Sequence, residues 1–126
     1  MQSSQVREAS HAGTWYVGDK NKLNEQLDTW LGDAKTDIEG IRGVKAIIGP
    51  HAGFSYSGPT AAWAYQYLSK VPDGPLRVFL LGPSHHAYIE GCGLSKLGSY
   101  ETPIGNIELD EETIEKMKKE GNWEIT

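Results

Sequence analysis

The sequence predicts an α/β fold in which a βαβ unit lies within a mixed sheet flanked by helices. Two short apolar runs, 44–48 and 76–81, each reach a Gly-Pro and then a histidine, and one helical segment separates them. Such a run is typical of a buried strand with a sharp exit. Because a crossover of this kind is right-handed, the two strands are expected to be parallel. Their carboxyl ends then share the sheet edge at which open α/β sheets bind ligands.

Length and composition predict one domain, 1–126, with a core. The chain has 126 residues, of which 38% are hydrophobic, and it has no apolar stretch long enough to span a membrane. The first residues lack the apolar centre of a secretory signal, and Cys92 has no partner for an internal disulfide. The expected location is therefore the cytoplasm, with the nucleus as the other option. A net charge of −5 without a basic stripe argues against nucleic acid or a membrane surface as partners.

The first predicted helix runs from about Lys20 to Leu31. Asp19 or Asn21 can cap its start, and Gly32 can end it. Its apolar residues follow the spacing of one buried face: Leu23, Leu27, Trp30 and Leu31. The polar stretch 33–43 reads as a loop that leads into the first predicted strand, 44–48.

A glycine-rich connection, 49–58, precedes the second predicted helix. Pro59 suits the first position of that helix, where its missing N–H costs nothing. The predicted buried face consists of Ala61, Ala64, Tyr65 and Leu68. The connection either cradles an anion through backbone N–H groups or is a tight turn, and it lacks the Lys-Ser/Thr of a P-loop. A turn at 72–75 then leads to the second predicted strand.

The last part of the chain predicts a weaker strand, a helix and the start of another strand. The weaker strand covers about Cys92 to Ser95. The helix begins near a capping Asp110 and ends at Gly121, with Ile114 and Met117 facing inward. Its expected i,i+4 pairs are Glu112–Lys116 and Glu115–Lys119. The sequence Asn-Trp-Glu-Ile-Thr at 122–126 resembles the opening of a further strand, so we expect the chain to be part of a longer domain.

His51 and His85 are the main candidates for a functional site. Neutral imidazole binds metals and carries protons near pH 7. A metal site needs at least three protein ligands or an open position filled by water, so two histidines form only part of one. One such histidine would more simply cap a strand end, but two in matched contexts favour a function. His86 is a candidate pocket residue as well: successive residues of an extended segment point in opposite directions, so at most one of His85 and His86 is expected to face the site, and the other is expected to have a structural or supporting role.

Several other residues are candidates for the wall of a pocket. His11 either lines the site or packs locally, and its His-Ala-Gly repeats the sequence at 51–53. Trp15 and Tyr56 combine an apolar ring with a polar tip, which suits a pocket wall, although either could belong to the core. Tyr56 is expected to expose its hydroxyl. Ser84 beside His85 is a weak nucleophile candidate, because adjacent side chains rarely meet in the required geometry and no nucleophile elbow is present.

Three segments carry a resemblance to a known family: residues 7–16 (REASHAGTWY), 48–58 (IGPHAGFSYSG) and 81–86 (LGPSHH). Thr102-Pro103 and residues 105–110 also fit. Together they resemble the Memo family, mediators of cell motility downstream of receptor tyrosine kinases. The resemblance extends over nearly the whole chain, which corresponds to the N-terminal part of a Memo-like domain.

The resemblance implies the fold of class III extradiol (LigB-type) ring-cleaving dioxygenases, here incomplete. Those enzymes hold non-haem iron with two histidines and a carboxylate, whereas the pocket of Memo proteins holds two histidines and a cysteine. Carried over, the implied metal ligands are His51 and His85. Trp15 and Tyr56 match pocket residues linked to binding a phosphotyrosine peptide. The family's ligand cysteine lies beyond this chain, and Cys92 falls in a different segment.

Three functional hypotheses follow, and they leave open whether the chain is an enzyme. The first is a protein with a copper- or iron-binding pocket and redox activity that acts in cell-motility signalling. The second is an adaptor that binds a phosphotyrosine peptide. Such sites usually rely on arginine, and the chain has only Arg7, Arg42 and Arg77. The third is a ring-cleaving dioxygenase, which needs a carboxylate ligand that no motif places here.

Overall fold

The computed structural model describes residues 5–34, 43–70 and 76–126. These residues fall into two compact units. The helical unit contains the described residues of Ala9–Gly74 together with Thr102–Gly105. The strand unit contains the described residues of Met1–Glu8, Pro75–Glu101 and Asn106–Thr126. Among the described residues, no helix is both long and apolar enough to cross a membrane.

Helix α1, Lys20–Asp33, confirms the first predicted helix and extends it slightly. The Asp19 carboxylate accepts a hydrogen bond from the Lys22 N–H at 2.9 Å, which satisfies one of the unpaired donors of the first turn. Leu23 is buried, as its position on the apolar face predicts. Gly32 does not end the helix: Asp33 is still helical, and the Ala34 N–H donates to the Trp30 carbonyl at 3.1 Å.

Helix α2, Phe54–Tyr65, begins five residues earlier than predicted and continues into a 3₁₀ helix, Gln66–Lys70. Pro59 therefore lies inside α2. Because proline has no N–H, one backbone carbonyl in an exposed part of the helix lacks its intrahelical hydrogen bond. The buried positions of α2 also differ from the prediction. Ser57, Gly58 and Ala62 are buried, whereas Tyr65 and the following Leu68 are exposed.

The described residues of the strand unit form two small sheets and one helix. In the first sheet, β1 (Val6–Arg7) is parallel to β3 (Ser99–Tyr100), and β3 is antiparallel to β4 (Ile107–Glu108). In the second sheet, β2 (Gly93–Leu94) is parallel to β5 (Glu124–Ile125). These two strands confirm the weak strand and the final strand that the sequence predicts. The first sheet is mixed, so the broad α/β prediction is also confirmed.

The predicted βαβ unit is wrong for the described structure, because neither of its strands forms. Residues 44–48 and 76–81 have irregular backbone and lie outside every strand among the described residues. Their apolar side chains are largely exposed: Ile48 is 95% accessible and Leu81 86%. A short strand is stable only when neighbouring strands pair with its backbone and a second layer covers its side chains. The described residues supply neither for these runs, so the apolar pattern alone does not produce strands.

Helix α3, Glu111–Glu120, confirms the last predicted helix together with its capping residue. The Asp110 carboxylate accepts a hydrogen bond from the Thr113 N–H at 2.9 Å and also pairs with Arg77. Of the two expected surface pairs, Glu112–Lys116 forms. Glu115, however, contacts Lys118 rather than Lys119.

Replacing Asp110 with asparagine should make the stability of α3 less sensitive to acid. The backbone hydrogen bond from Thr113, and then the hydrogen bond from Arg77, lower the Asp110 pKa from its ordinary value of 3.8 to about 2. A carboxyl whose pKa is lower in the folded state stabilises it fully above the unfolded pKa, and this stabilisation disappears as the pH falls through the folded pKa. The stability difference between the native chain and Asp110→Asn, measured by urea denaturation, should thus shrink between about pH 4 and about pH 2. A difference that stays constant across this range would contradict the assignment.

Candidate functional site

A tight turn at 11–16 holds two of the predicted pocket residues together. The Thr14 and Trp15 N–H groups both donate to the His11 carbonyl, at 3.1 and 3.0 Å. Gly13 has a φ of 82°, a left-handed conformation that favours glycine, and its N–H donates to the Tyr16 carbonyl at 2.7 Å. The turn places the rings of His11 and Trp15 edge to face, with their centroids 5.2 Å apart. His11 therefore contacts another predicted pocket residue, a geometry compatible with both of the roles left open for it.

This turn docks on the first turn of α2. The Phe54 N–H donates to the Trp15 carbonyl at 2.7 Å, and the Phe54 ring lies 5.3 Å from the ring of Tyr16. At Gly53, a Cβ atom would come within 3.4 Å of the same Trp15 carbonyl oxygen, so the approach is close. Tyr56 follows in the first turn of α2 and is 86% exposed, which confirms the expected exposure. The spacing of residues along the sequence does not predict this contact between the turn at 11–16 and the start of α2.

The loop that carries His51 is anchored by Ser57, a residue that sequence reasoning missed. The Ser57 hydroxyl is buried and bonds to the carbonyls of Ala52 and Gly53, at 2.9 and 3.1 Å. It thereby fixes the backbone that directly follows His51, while the His51 side chain is exposed. A serine four residues after a glycine-containing loop is a signal for such back-bonding, but it is common and unspecific.

His85 and His86 lie in an exposed bend of the strand unit. The Ser84 hydroxyl donates to the Ala87 carbonyl at 2.6 Å and so closes the bend around the two histidines. This bond occupies the Ser84 hydroxyl, in agreement with its low rank as a nucleophile. The prediction that only one of the two histidines faces a site stays a prediction.

The predicted site residues are divided between the two units. The helical unit brings together His11, Trp15, Tyr56 and the loop that follows His51, all around the first turn of α2. His85 and His86 belong to the strand unit. Each unit therefore presents one of the two proposed metal ligands on its surface.

The proposed donor set suits a metal but is incomplete. Imidazole is a good ligand for copper and iron, and both His51 and His85 are accessible. In the part of the chain that the structure describes, no three His, Cys, Asp or Glu side chains gather into a group that could hold an ion. A complete centre would need at least one donor from outside these residues.

An open apolar depression lies where α1 and α2 end. Its volume is about 590 Å³. It is lined by Leu31, Gly32, Tyr65, Gln66 and Leu68. None of these residues was predicted to act in a site, and the phenol of Tyr65 is the one ionisable group among them.

Comparison with known proteins identifies relatives over almost the whole chain. A family model described as Memo-like protein matches residues 7–125. The chain is 41% identical to human Protein MEMO1 over 118 residues, which is 94% of this chain and 38% of that protein. It is 43% identical to Protein MEMO1 of the frog Xenopus tropicalis, with the same coverage. It is also 39% identical to the Protein memo-1 homolog of Caenorhabditis elegans, of which it covers 33%.

Proposed function

From the premise that this chain belongs to the Memo-like protein family, we propose that it supplies His51 and His85 as ligands to a metal pocket. The metal is copper or iron, and the whole protein is redox-active and acts in cell-motility signalling. The observation that carries the proposal is the pair of accessible imidazoles, each within two residues of a Gly-Pro that follows an apolar run. The chain spans about 38% of the length of its vertebrate relatives, so a third ligand is expected from the rest of a Memo-like protein.

The residues of the helical unit would support His51 in two ways. Ser57 holds the carbonyls of Ala52 and Gly53, which limits the positions that the His51 backbone can take. The His11 and Trp15 rings form an aromatic wall at the start of α2. A fixed ligand loses less conformational entropy when it binds, so this support should favour binding. A bound copper or iron ion would supply one-electron chemistry.

Replacing either proposed ligand with alanine should weaken metal binding. Even the loss of a residue that only orients a ligand lowers metal affinity by about 10- to 100-fold, so loss of the ligand itself should cost at least about tenfold. Equilibrium dialysis against Cu²⁺ and Fe²⁺ at micromolar free metal would measure the effect of His51→Ala and His85→Ala in a protein in which this chain replaces the matched part of human Protein MEMO1, so that the rest of a Memo-like protein can supply the third ligand.

His86→Ala is the matched control for this experiment. It removes an exposed imidazole directly beside His85, so nonspecific binding to surface histidines would fall equally in both variants. Unchanged affinity in His51→Ala and His85→Ala would contradict the proposal, and so would equal losses in His85→Ala and His86→Ala.

A phosphotyrosine-peptide adaptor is the second candidate, favoured by the exposed rings of Trp15 and Tyr56 near the first turn of α2. The arginines argue against it. Arg7 lies over the Tyr100 ring, 3.6 Å from its centroid, and Arg77 pairs with Asp110. Arg42 is outside the described residues. Calorimetric titration with phosphorylated and unphosphorylated tyrosine peptides would decide, since equal affinities would end this hypothesis. A ring-cleaving dioxygenase ranks last, because it needs two histidines and a carboxylate together, and no three His, Cys, Asp or Glu side chains of the described residues form such a group.

A further inference from the structure

Thr102 lies in the turn that joins β3 to β4, and it is the one serine or threonine in the sequence that directly precedes a proline. A hydroxyl residue followed by proline is the minimal motif that proline-directed protein kinases recognise. Proline also keeps the residue before it in an extended conformation, the form in which a kinase cleft binds its substrate. The proposed metal pocket makes no use of this motif, so its role is still to be assigned.

The hydroxyl of Thr102 forms hydrogen bonds inside its own turn. It donates to the Gly105 carbonyl at 2.5 Å, and it accepts from the N–H groups of Ile104 and Gly105 at 3.3 and 3.2 Å. The Gly105 N–H also donates to the Thr102 carbonyl at 3.1 Å. These bonds link residues that are at most three positions apart, and residues 104–108 are exposed. The turn can therefore open, and present Thr102, without the loss of core contacts.

We propose that Thr102 is a phosphorylation site for a proline-directed protein kinase, with a nucleoside triphosphate as the phosphoryl donor. Thr102 Oγ1 forms a bond to the γ-phosphorus, the bond from that phosphorus to the bridging oxygen breaks, and the nucleoside diphosphate leaves. The hydroxyl proton passes to the catalytic aspartate of the kinase. This site goes beyond the metal pocket and does not depend on it.

Phosphorylation changes the hydrogen bonds that close the turn. The phosphoryl group carries about −1.5 to −2 charges at pH 7, and its ester oxygen has no hydrogen to donate. Its oxygens accept from the Ile104 and Gly105 N–H groups, but the Gly105 carbonyl loses its donor and is repelled. Gly105 can turn this carbonyl away, because its φ is 153° and a Cβ there meets nothing within 4 Å. Since β4 begins two residues later, its pairing with β3 weakens.

Incubation with a purified proline-directed kinase and radiolabelled ATP tests the proposal. It is applied to this chain and to the protein in which this chain replaces the matched part of human Protein MEMO1, and mass spectrometry should find phosphate on Thr102 in both. In this chain, Thr102→Val should remove the label, and Thr102→Ser, which keeps the hydroxyl and the motif, should retain it. Pro103→Ala should slow labelling by about tenfold or more, since loss of even one methylene from an apolar pocket costs about that much.

Thr60→Val is the matched control, since Thr60 is exposed and precedes an alanine, and it should leave the label unchanged. Hydrogen exchange should be faster in the phosphorylated chain at the Leu109 N–H, which donates to the Gly98 carbonyl at 2.9 Å directly after β4. The site would be overturned by a native chain that takes up no label, by label that survives Thr102→Val, or by phosphorylation in this chain but not in the longer protein. Equal exchange at Leu109 before and after phosphorylation would overturn the effect on the strands.

Discussion

Replacing Gly58 with alanine should lower the free energy of unfolding of the chain by about 3 kcal/mol, because overpacking a filled interior forces neighbouring groups out of place. A Cβ atom built on Gly58 would lie 2.1 Å from Cζ3 of Trp30 and within 2.6 Å of two further atoms of the same ring. Either the indole must leave its position or α2 must move away from α1. Both routes disrupt the contact between Gly58 and Trp30 through which the two helices meet.

The matched control for this prediction is Gly32→Ala in α1. A Cβ atom at Gly32 meets nothing within 4 Å, so this substitution changes only the backbone preference. Glycine is up to about 1 kcal/mol less favourable than alanine inside a helix, and Gly32→Ala should therefore raise the stability slightly. Urea denaturation followed by circular dichroism should show opposite signs for the two variants.

Shortening Trp30 should rescue the Gly58 variant, because the clash involves only the six-membered part of the indole. In a double-mutant cycle, Gly58→Ala should cost much less in a Trp30→Leu background than in the native chain. An unchanged cost in that background would show that the ring contact is not the cause. A stabilising Gly58→Ala would contradict the packing of α1 on α2 altogether.

The elements that the sequence predicts correctly are those determined by nearby residues. Helices α1 and α3 each have an apolar periodicity and an aspartate whose side chain caps the first turn, at positions 19 and 110. These interactions span three or four residues, so they can be recognised without knowing the rest of the fold. The family resemblance is confirmed for a similar reason, because it depends on the order of the residues and not on their contacts.

The elements that the sequence predicts wrongly depend on distant partners. The apolar runs at 44–48 and 76–81 have the composition of buried strands, but a strand also needs a neighbour to bond its backbone, and the described residues provide none. The start of α2 was misplaced because Pro59 is favoured in the first turn of a helix. The contact of Phe54 with the turn at 11–16 instead starts the helix earlier, and sequence spacing does not reveal that contact.

The site shows the same division between local and distant interactions. His11 and Trp15 belong to one motif, and the structure places their rings in contact, as their spacing in a short turn allows. The sequence does not predict the role of Ser57. Its hydroxyl reaches the Ala52 carbonyl of the loop because α2 begins at Phe54 and so includes Ser57. A helix predicted to begin at Pro59 does not include Ser57, and for this reason the sequence does not indicate that Ser57 anchors the His51 loop.

Replacing Ser57 with alanine should lower the free energy of unfolding by about 1–2 kcal/mol, the usual cost of removing a buried hydrogen-bonding partner. Ser57 is 7% exposed, and its hydroxyl donates to the Ala52 and Gly53 carbonyls, between which its one hydrogen is shared. Its loss removes this side-chain anchor from the loop after His51. Hydrogen exchange should therefore accelerate at the amides of Tyr56 and Ser57, which donate to the Gly53 carbonyl at 2.9 and 3.0 Å.

Ser55→Ala separates this effect from the helix preference of alanine. Ser55 lies in the same turn of α2 but is exposed, so both variants gain the same backbone preference and only Ser57→Ala loses the buried bonds. If the anchored loop positions His51 for a metal, Ser57→Ala should also weaken Cu²⁺ binding, in a variant that keeps both histidines. Equal stability and equal metal affinity in the two serine variants would show that the hydroxyl holds neither the loop nor the ligand. A loss of stability without a loss of metal affinity would confine Ser57 to the fold and leave the positioning of His51 to the turn at 11–16.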